Sequence, residues 1–82
     1  MVKKPRGVAE RAKEERDFLR VIGKNISSFA NKREISIERL AYESGVSKGF
    51  LYDIVKGQGN PSAIFLFKIA ASLEVPVQML LK

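Results

Sequence analysis

The apolar residues of this chain recur at helical spacing. The clearest case is a stripe near the N-terminus, separated by four, four and three residues, formed by Phe18, Ile22, Ile26 and Phe29. Such spacing places the side chains on one face of a helix, which we expect to end near residues 31–33. From Val8 onward nearly all residues are good helix formers, so the helix is free to begin that early. The pattern predicts a long first helix with this face toward the core.

Three shorter apolar segments follow, and a serine precedes each of them. Ser36, Ser47 and Ser62 are suitable N-caps, and Gly45 and Gly57 end the first two segments. The side chains predicted to face the core are Leu40, Ala41, Leu51, Ile54, Leu66, Ile69, Ala70 and Leu73. The sequence therefore predicts three further helices joined by short connections.

A last short helix is predicted over residues 77–81. No stretch alternates apolar and polar residues as a half-buried strand does, and neither Asn-Gly nor Asp-Gly occurs. We therefore expect an all-α fold, with a compact five-helix domain over residues 14–82 and a basic N-terminal arm over residues 1–13. Within that arm, Lys3, Lys4 and Arg6 either remain solvated or lie along a polyanion.

The composition narrows the classes of function. The 82 residues are 45% hydrophobic and 29% charged, which is typical of one small globular domain. Because the chain has no Cys and no His, it lacks thiol nucleophiles, imidazole bases and the usual ligands of zinc, iron and copper. We expect no enzyme, no cofactor and no metal site. No apolar run suits a membrane span or a signal peptide, so a cytoplasmic protein with no membrane partner is predicted.

The net charge of +6 suits a partner rich in phosphate, although charge by itself does not single out nucleic acid. The second and third helices add a sharper signal, because only Gly45-Val46-Ser47 separates them and the small Ala41 permits their close approach. This arrangement is that of a helix-turn-helix.

The wider pattern resembles the phage-repressor and Cro-type helix-turn-helix regulators, from about Phe18 to Leu81. The matching residues are Ser36-Ile37-Glu38-Arg39-Leu40-Ala41, Ser44-Gly45-Val46-Ser47, Leu51, Ile54, Gly57 and Asn60-Pro61-Ser62. The resemblance implies a phage-repressor-like domain in which the helix over residues 48–56 lies in the major groove of double-stranded DNA. The candidate base-reading residues are Lys48, Gly49, Phe50, Tyr52 and Asp53.

Each of these candidates has a second interpretation or a particular chemistry. Lys48 suits guanine or a phosphate, and Tyr52 a base or a phosphate, whereas Asp53 accepts from cytosine N4 and repels phosphates. Gly49 either lets the backbone approach DNA or has no role. Phe50 either contacts a thymine methyl group or packs against the second helix.

The candidate phosphate contacts lie near helix N-termini and in the loop after the reading helix: Ser36, Ser47, Lys56, Gln58 and Asn60. Ser36 and Ser47 are expected to cap helices in any case, and Asn60 is alternatively a turn residue before Pro61. Three departures from the family pattern stand out. One is an absent ion pair, since Ala30 and Val55 stand where many members carry Arg and Glu. Ile37 stands where many members carry a Gln that braces the reading helix, and Glu34 replaces the usual Gly before the second helix.

The resemblance also implies a homodimer on a pseudo-palindromic site, with reading helices about 34 Å apart. Apolar residues in excess of what a small core needs form the candidate seam: Ile64, Phe67, Met79 and Leu81. The alternative is that such residues close the core, as we expect for Phe65 and Leu80. Since the chain ends at Lys82, no small-molecule effector domain is expected.

Two functions follow from this pattern. The first is a sequence-specific DNA-binding transcriptional regulator, with a restriction-modification controller, an antitoxin-type autorepressor and a phage-type repressor left open. The alternative is an antitoxin or adaptor that uses the same fold to bind a protein. Binding that depends on base sequence would separate the two.

Overall fold

The computed structural model describes residues 7–82, apart from the side chains of Val8 and Ala9. Its elements, in chain order, are α1 (Val8–Lys32), α2 (Ile37–Ser44), α3 (Lys48–Val55), α4 (Ala63–Leu73) and a 3-10 helix (Val77–Leu80). The predicted all-α fold is confirmed for this part of the chain. Of the predicted basic arm, residues 8–13 are the start of α1, whereas Lys3, Lys4 and Arg6 lie outside the described residues.

The last element corrects the prediction of five α-helices, because it is a single 3-10 turn. The N–H group of Met79 donates to the carbonyl of Pro76, three residues earlier. An element of four residues is too short for a second α-helical turn, and 3-10 bonds satisfy its backbone at that length. The side-chain amide of Asn25 donates to the carbonyl oxygens of Leu80 and Lys82 at 3.0 and 2.9 Å, which fixes this end of the chain on α1.

The first half of α1 departs from the predicted burial. Phe18 is 48% exposed, whereas Ile22 and Ile26 are buried as expected. Helix α1 has 25 residues and is therefore about 37 Å long. The described molecule extends 51 Å along its longest axis but only 23 and 20 Å across. The start of α1 thus projects beyond the rest of the fold, and Phe18 is only partly covered because it lines an open groove with Pro61 and Leu66.

The three predicted serine caps are all present. The hydroxyl oxygens of Ser36, Ser47 and Ser62 accept from backbone N–H groups three residues later at 3.0, 3.2 and 3.0 Å. Each such cap stabilises a helix by about 1 kcal/mol, and α2 and α3 are short enough to need it. The caps therefore set where the two helices of the helix-turn-helix begin.

The core lies where α1, α3 and α4 meet α2 and the 3-10 helix. Every side chain predicted to face inward from α2, α3 and α4 is buried, and so are Phe65 and Leu80. Phe65 belongs to α4, and Leu80 closes the end of the core beside α1. Within residues 7–82, no helix combines the length and the hydropathy that crossing a bilayer requires.

Two helix ends use a glutamate in the left-handed backbone region. Glu34 has a φ of 57° and Glu74 a φ of 58°, a conformation that usually favours glycine. After α1, the N–H of Ile35 donates to the carbonyl of Ala30 at 3.1 Å and that of Glu34 to Asn31 at 3.0 Å. These two hydrogen bonds form a Schellman motif. The motif lets the chain turn here without the glycine that the family usually has at this point.

Candidate nucleic-acid interface

A three-residue turn holds α2 and α3 together. Gly45 has a φ of 70°, a conformation that favours glycine, and the N–H of Val46 donates to the carbonyl of Ala41 at 3.1 Å. Ala41 itself is 2% exposed, as expected for a small residue between closely packed helices. The hydroxyl of Ser44 donates to that of Ser72 at 2.9 Å, which ties the end of α2 to α4. The helix-turn-helix is thus packed against the core and bonded to α4.

Helix α3 buries one face and exposes the other. Leu51 and Ile54 are 0% and 1% exposed and anchor the helix. The predicted site residues Lys48, Gly49, Tyr52 and Asp53 are exposed. The helix ends at Val55, and Lys56 follows as its C-cap residue with an exposed side chain. The predicted outward face is therefore present. It carries the ammonium group of Lys48, the phenol of Tyr52 and the carboxylate of Asp53.

Phe50 is the predicted site residue that is drawn inward. Its ring meets that of Phe65 edge to face, with 5.0 Å between the centroids and 82° between the planes. The predicted packing role is therefore present, but the partner ring belongs to α4 and not to the second helix. The half-buried ring leaves part of its surface open. Sequence reasoning missed this pair because the two residues are far apart along the chain.

Lys48 has an ionic partner that the sequence did not reveal. Its Nζ lies 3.4 Å from Oε2 of Glu38, which joins the first turn of α3 to the first turn of α2. Both side chains are 61% exposed, so the pair contributes no more than about 1 kcal/mol. Lys48 is thus oriented on the surface by a bond that another acceptor is able to replace.

The five predicted phosphate contacts are all exposed and lie at three places. Ser36 begins α2, Ser47 begins α3, and the remaining three, Lys56, Gln58 and Asn60, follow α3. The two serines accept bonds from backbone N–H groups, so each hydroxyl keeps its own hydrogen for donation. Capping and a second contact are therefore compatible at both positions.

A second charged surface lies beside the end of α3, and the sequence analysis missed it. It is an open groove of about 570 Å³ between α1 and the turn after α3. Four cationic residues line it: Arg20, Lys24, Lys32 and Lys56. We call it the basic groove. Its three cations on α1 are spaced four and eight residues apart, and in the sequence this spacing indicates only the polar face of a helix.

The predicted dimer residues are all exposed. Ile64 and Phe67 on α4 are 64% and 62% exposed, and Met79 and Leu81 around the 3-10 helix are 39% and 37% exposed. They are thus available to a partner, in contrast to Phe65 and Leu80, which the core uses.

Comparison with known proteins agrees with this geometry. A family model described as helix-turn-helix matches residues 26–80. The chain is 46% identical over 56 residues to the HTH-type transcriptional regulator SlrR of Bacillus subtilis, a match that covers 67% of this chain and 37% of SlrR. It is 39% identical over 62 residues to SinR of the same organism, covering 74% of this chain and 56% of SinR. The chain belongs to the phage-repressor and Cro-type helix-turn-helix family.

Among solved structures, the chain is similar to the crystal structure of SinR, described as the master regulator for biofilm formation, in complex with DNA. The TM-score is 0.71 with 39% identity, and the match covers 74% of this chain and 98% of the SinR chain. The chain spans about a third of the length of SlrR and about half of that of SinR.

Proposed function

We propose that this chain is a sequence-specific transcriptional regulator that binds double-stranded DNA with α3 in the major groove. The observation that carries the proposal is the two-sided character of α3. Leu51 and Ile54 are buried, while Lys48, Tyr52 and Asp53 are exposed. The relatives support it, because SlrR and SinR are transcriptional regulators and a SinR structure contains DNA. A cytoplasmic location and the absence of enzymatic activity remain predictions.

In this proposal the exposed face of α3 reads base edges. Lys48 donates to guanine O6 or N7, Asp53 accepts from cytosine N4, and Tyr52 uses its hydroxyl on a base or a phosphate. Gly49 leaves room for the DNA to approach the helix backbone. The open part of the Phe50 ring contacts a thymine methyl group. Asp53 repels phosphates, so it adds discrimination at the expense of affinity.

Phosphate contacts position the reading helix. The hydroxyls of Ser36 and Ser47 donate to phosphates beside the N-termini of α2 and α3, where the helix dipole also favours an anion. The side chains of Lys56, Gln58 and Asn60 contact the backbone on the far side of α3. Ile37 is unable to supply the hydrogen bonds of the Gln found in many family members. We therefore expect each domain to bind DNA more weakly than a domain that carries this Gln.

A homodimer on a pseudo-palindromic site is part of the proposal. Burial of large apolar side chains in an interface is favourable, because it removes them from water. The side chains that support a dimer in this way are the exposed Ile64, Phe67, Met79 and Leu81. Sedimentation equilibrium should give a dimer whose dissociation constant rises strongly in Phe67→Asp. Tyr42→Asp is the matched control, because Tyr42 is 82% exposed and lies on α2. Equal dissociation constants for the two variants would show that α4 is not part of the dimer interface.

The test of DNA recognition is selection of duplexes from a random library near physiological salt, with binding then measured on the selected duplex and on a scrambled one. A preference of about a thousandfold or more is expected for a specific regulator. Asp53→Ala should reduce this ratio, chiefly by tightening binding to the scrambled duplex. Glu15→Ala, an exposed acid on the projecting part of α1, serves as the charge-matched control.

The second candidate is a protein-binding module of the antitoxin or adaptor kind. It is favoured by the exposure of Ile64 and Phe67, which one apolar partner surface would cover. It predicts weak DNA binding that depends on salt but not on base sequence. The same selection experiment therefore decides between the candidates.

A further inference from the structure

The basic groove is built by a backbone contact between α1 and the end of α3. A Cβ atom at Gly23 would collide with the carbonyl oxygens of Ile54 and Val55. A Cβ at Gly57 would lie 2.9 Å from Cγ of Arg20. The backbones of α1 and α3 therefore touch at Gly23, and the backbone of Gly57 packs directly against Arg20. This contact brings the cations of α1 directly beside Lys56.

The charge of the groove is unbalanced. No acidic residue is among those that line it in the described part of the chain. Arg20 is held by Asp17 at 3.2 Å on the rim, and Lys32 lies 5.4 Å from the centre of the Phe29 ring. Within residues 7–82, Lys24 and Lys56 have no ion pair. The unpaired Lys24 and Lys56 therefore lie beside Arg20 and Lys32. The positive charges of these four side chains repel one another unless an anion binds in the groove.

The spacing of the groove suits a chain of phosphates. Arg20, Lys24 and Asn31 recur at intervals of four and seven, which places them along one face of α1. Lys24 and Lys32 are eight residues apart, or about 12 Å along the helix. A strand of B-DNA carries one charge for every ~3.4 Å of its axis, so several phosphates fit within that length.

We propose that the basic groove binds backbone phosphates of the DNA that α3 reads, with Lys24 as its central contact. This inference rests on the proposed function. When α3 lies in the major groove, a bordering phosphate strand passes the end of the helix, where Lys56 and the groove begin. Helix α1 then extends the contact beyond the helix-turn-helix. The groove contributes affinity without sequence preference, because phosphates carry no base information.

The experiment compares full-length Lys24→Gln with Arg11→Gln. Both substitutions remove one positive charge from an exposed side chain of α1, but Arg11 is about 20 Å farther along the helix. Dissociation constants are measured from 50 to 200 mM salt on the selected and the scrambled duplex, with thermal melts as a check of folding. The double variant Lys24→Gln/Lys32→Gln tests whether the effect accumulates.

Loss of one phosphate contact should flatten the slope of log affinity against log salt by about 0.9 in Lys24→Gln and by about twice that in the double variant. The effect should be equal on both duplexes and absent in Arg11→Gln. If Lys24→Gln matches Arg11→Gln, the groove proposal is wrong, whatever the wild type prefers. A wild type without base preference defeats the proposed function, yet a flattened slope in Lys24→Gln would still uphold the groove. Absence of any DNA binding overturns both.

Discussion

Arg33 and Glu74 form an ion pair that joins the C-terminal ends of α1 and α4, with 2.6 Å between Nη1 and Oε2. The same guanidinium donates to the carbonyl of Ser72 at 3.0 Å. Glu74 is the C-cap residue of α4 and has a φ of 58°. A residue in a strained backbone conformation is thus held by a charge at the C-terminal end of another helix.

Arg33→Ala should lower the free energy of unfolding by about 1 kcal/mol, because it removes both the ion pair and the bond to Ser72. Glu74→Gly should leave stability nearly unchanged, since relief of the left-handed backbone offsets loss of the pair. Urea denaturation of both variants measures the difference. Equal losses in the two would mean that Glu74 carries no backbone strain.

Glu34 offers a cleaner test of the same strain, because no ion pair involving it is found in the described part of the chain. Glu34→Gly should raise the free energy of unfolding by roughly 0.5–1 kcal/mol, after allowance for the added freedom of the unfolded chain. Glu15→Gly, within α1, should lower it by a similar amount. The sign difference between the two variants, read from urea midpoints, is the result to look for.

If the proposed interface is correct, Glu38→Gln should strengthen DNA binding, because it frees Lys48 and removes a negative charge from that interface. We expect a several-fold fall in the dissociation constant at low salt and little change in stability, since the exposed pair is weak. Glu43→Gln is the control on the same helix: its carboxylate pairs with Arg39 at 2.7 Å. Weaker binding in Glu38→Gln would show that the pair orients Lys48 for a specific contact.

Gly49→Ala separates the two interpretations of Gly49. The nearest atom to an added Cβ, apart from the chain neighbours and the helix backbone, is the hydroxyl oxygen of Ser47 at 3.9 Å, so the methyl group fits. Stability should rise by about 0.5–1 kcal/mol, as alanine favours a helix. If DNA must approach the backbone there, affinity falls at least several-fold while stability rises. Unchanged affinity would leave Gly49 without a role in binding.

Gly23→Ala is the contrasting substitution. An added Cβ would collide with the carbonyl oxygens of Ile54 and Val55, so α1 and α3 would have to separate. We expect a loss of about 1–3 kcal/mol in the free energy of unfolding, as for other overpacked cores. Thermal or urea unfolding provides the measurement. A stable variant would mean that the two helices are not held in direct contact.

The features that could be predicted from the sequence are those decided within one or two helical turns. Ser36, Ser47 and Ser62 cap helices because their hydroxyls reach backbone groups three residues away, and the buried positions of α2, α3 and α4 follow from spacing. Local chemistry was sufficient for these elements and for the turn at Gly45. The family resemblance depends on the same residues.

Tertiary structure decided what depends on where helices end and meet. Phe18 continues an apolar stripe, but it lines an open groove together with Pro61 and Leu66 and remains half exposed. The pairing of Phe50 with Phe65, and of Lys48 with Glu38, joins residues that only the packing of separate helices brings together. The basic groove has the same origin: each cation lies on an ordinary polar face, and the contact of α1 with the end of α3 assembles them into one surface.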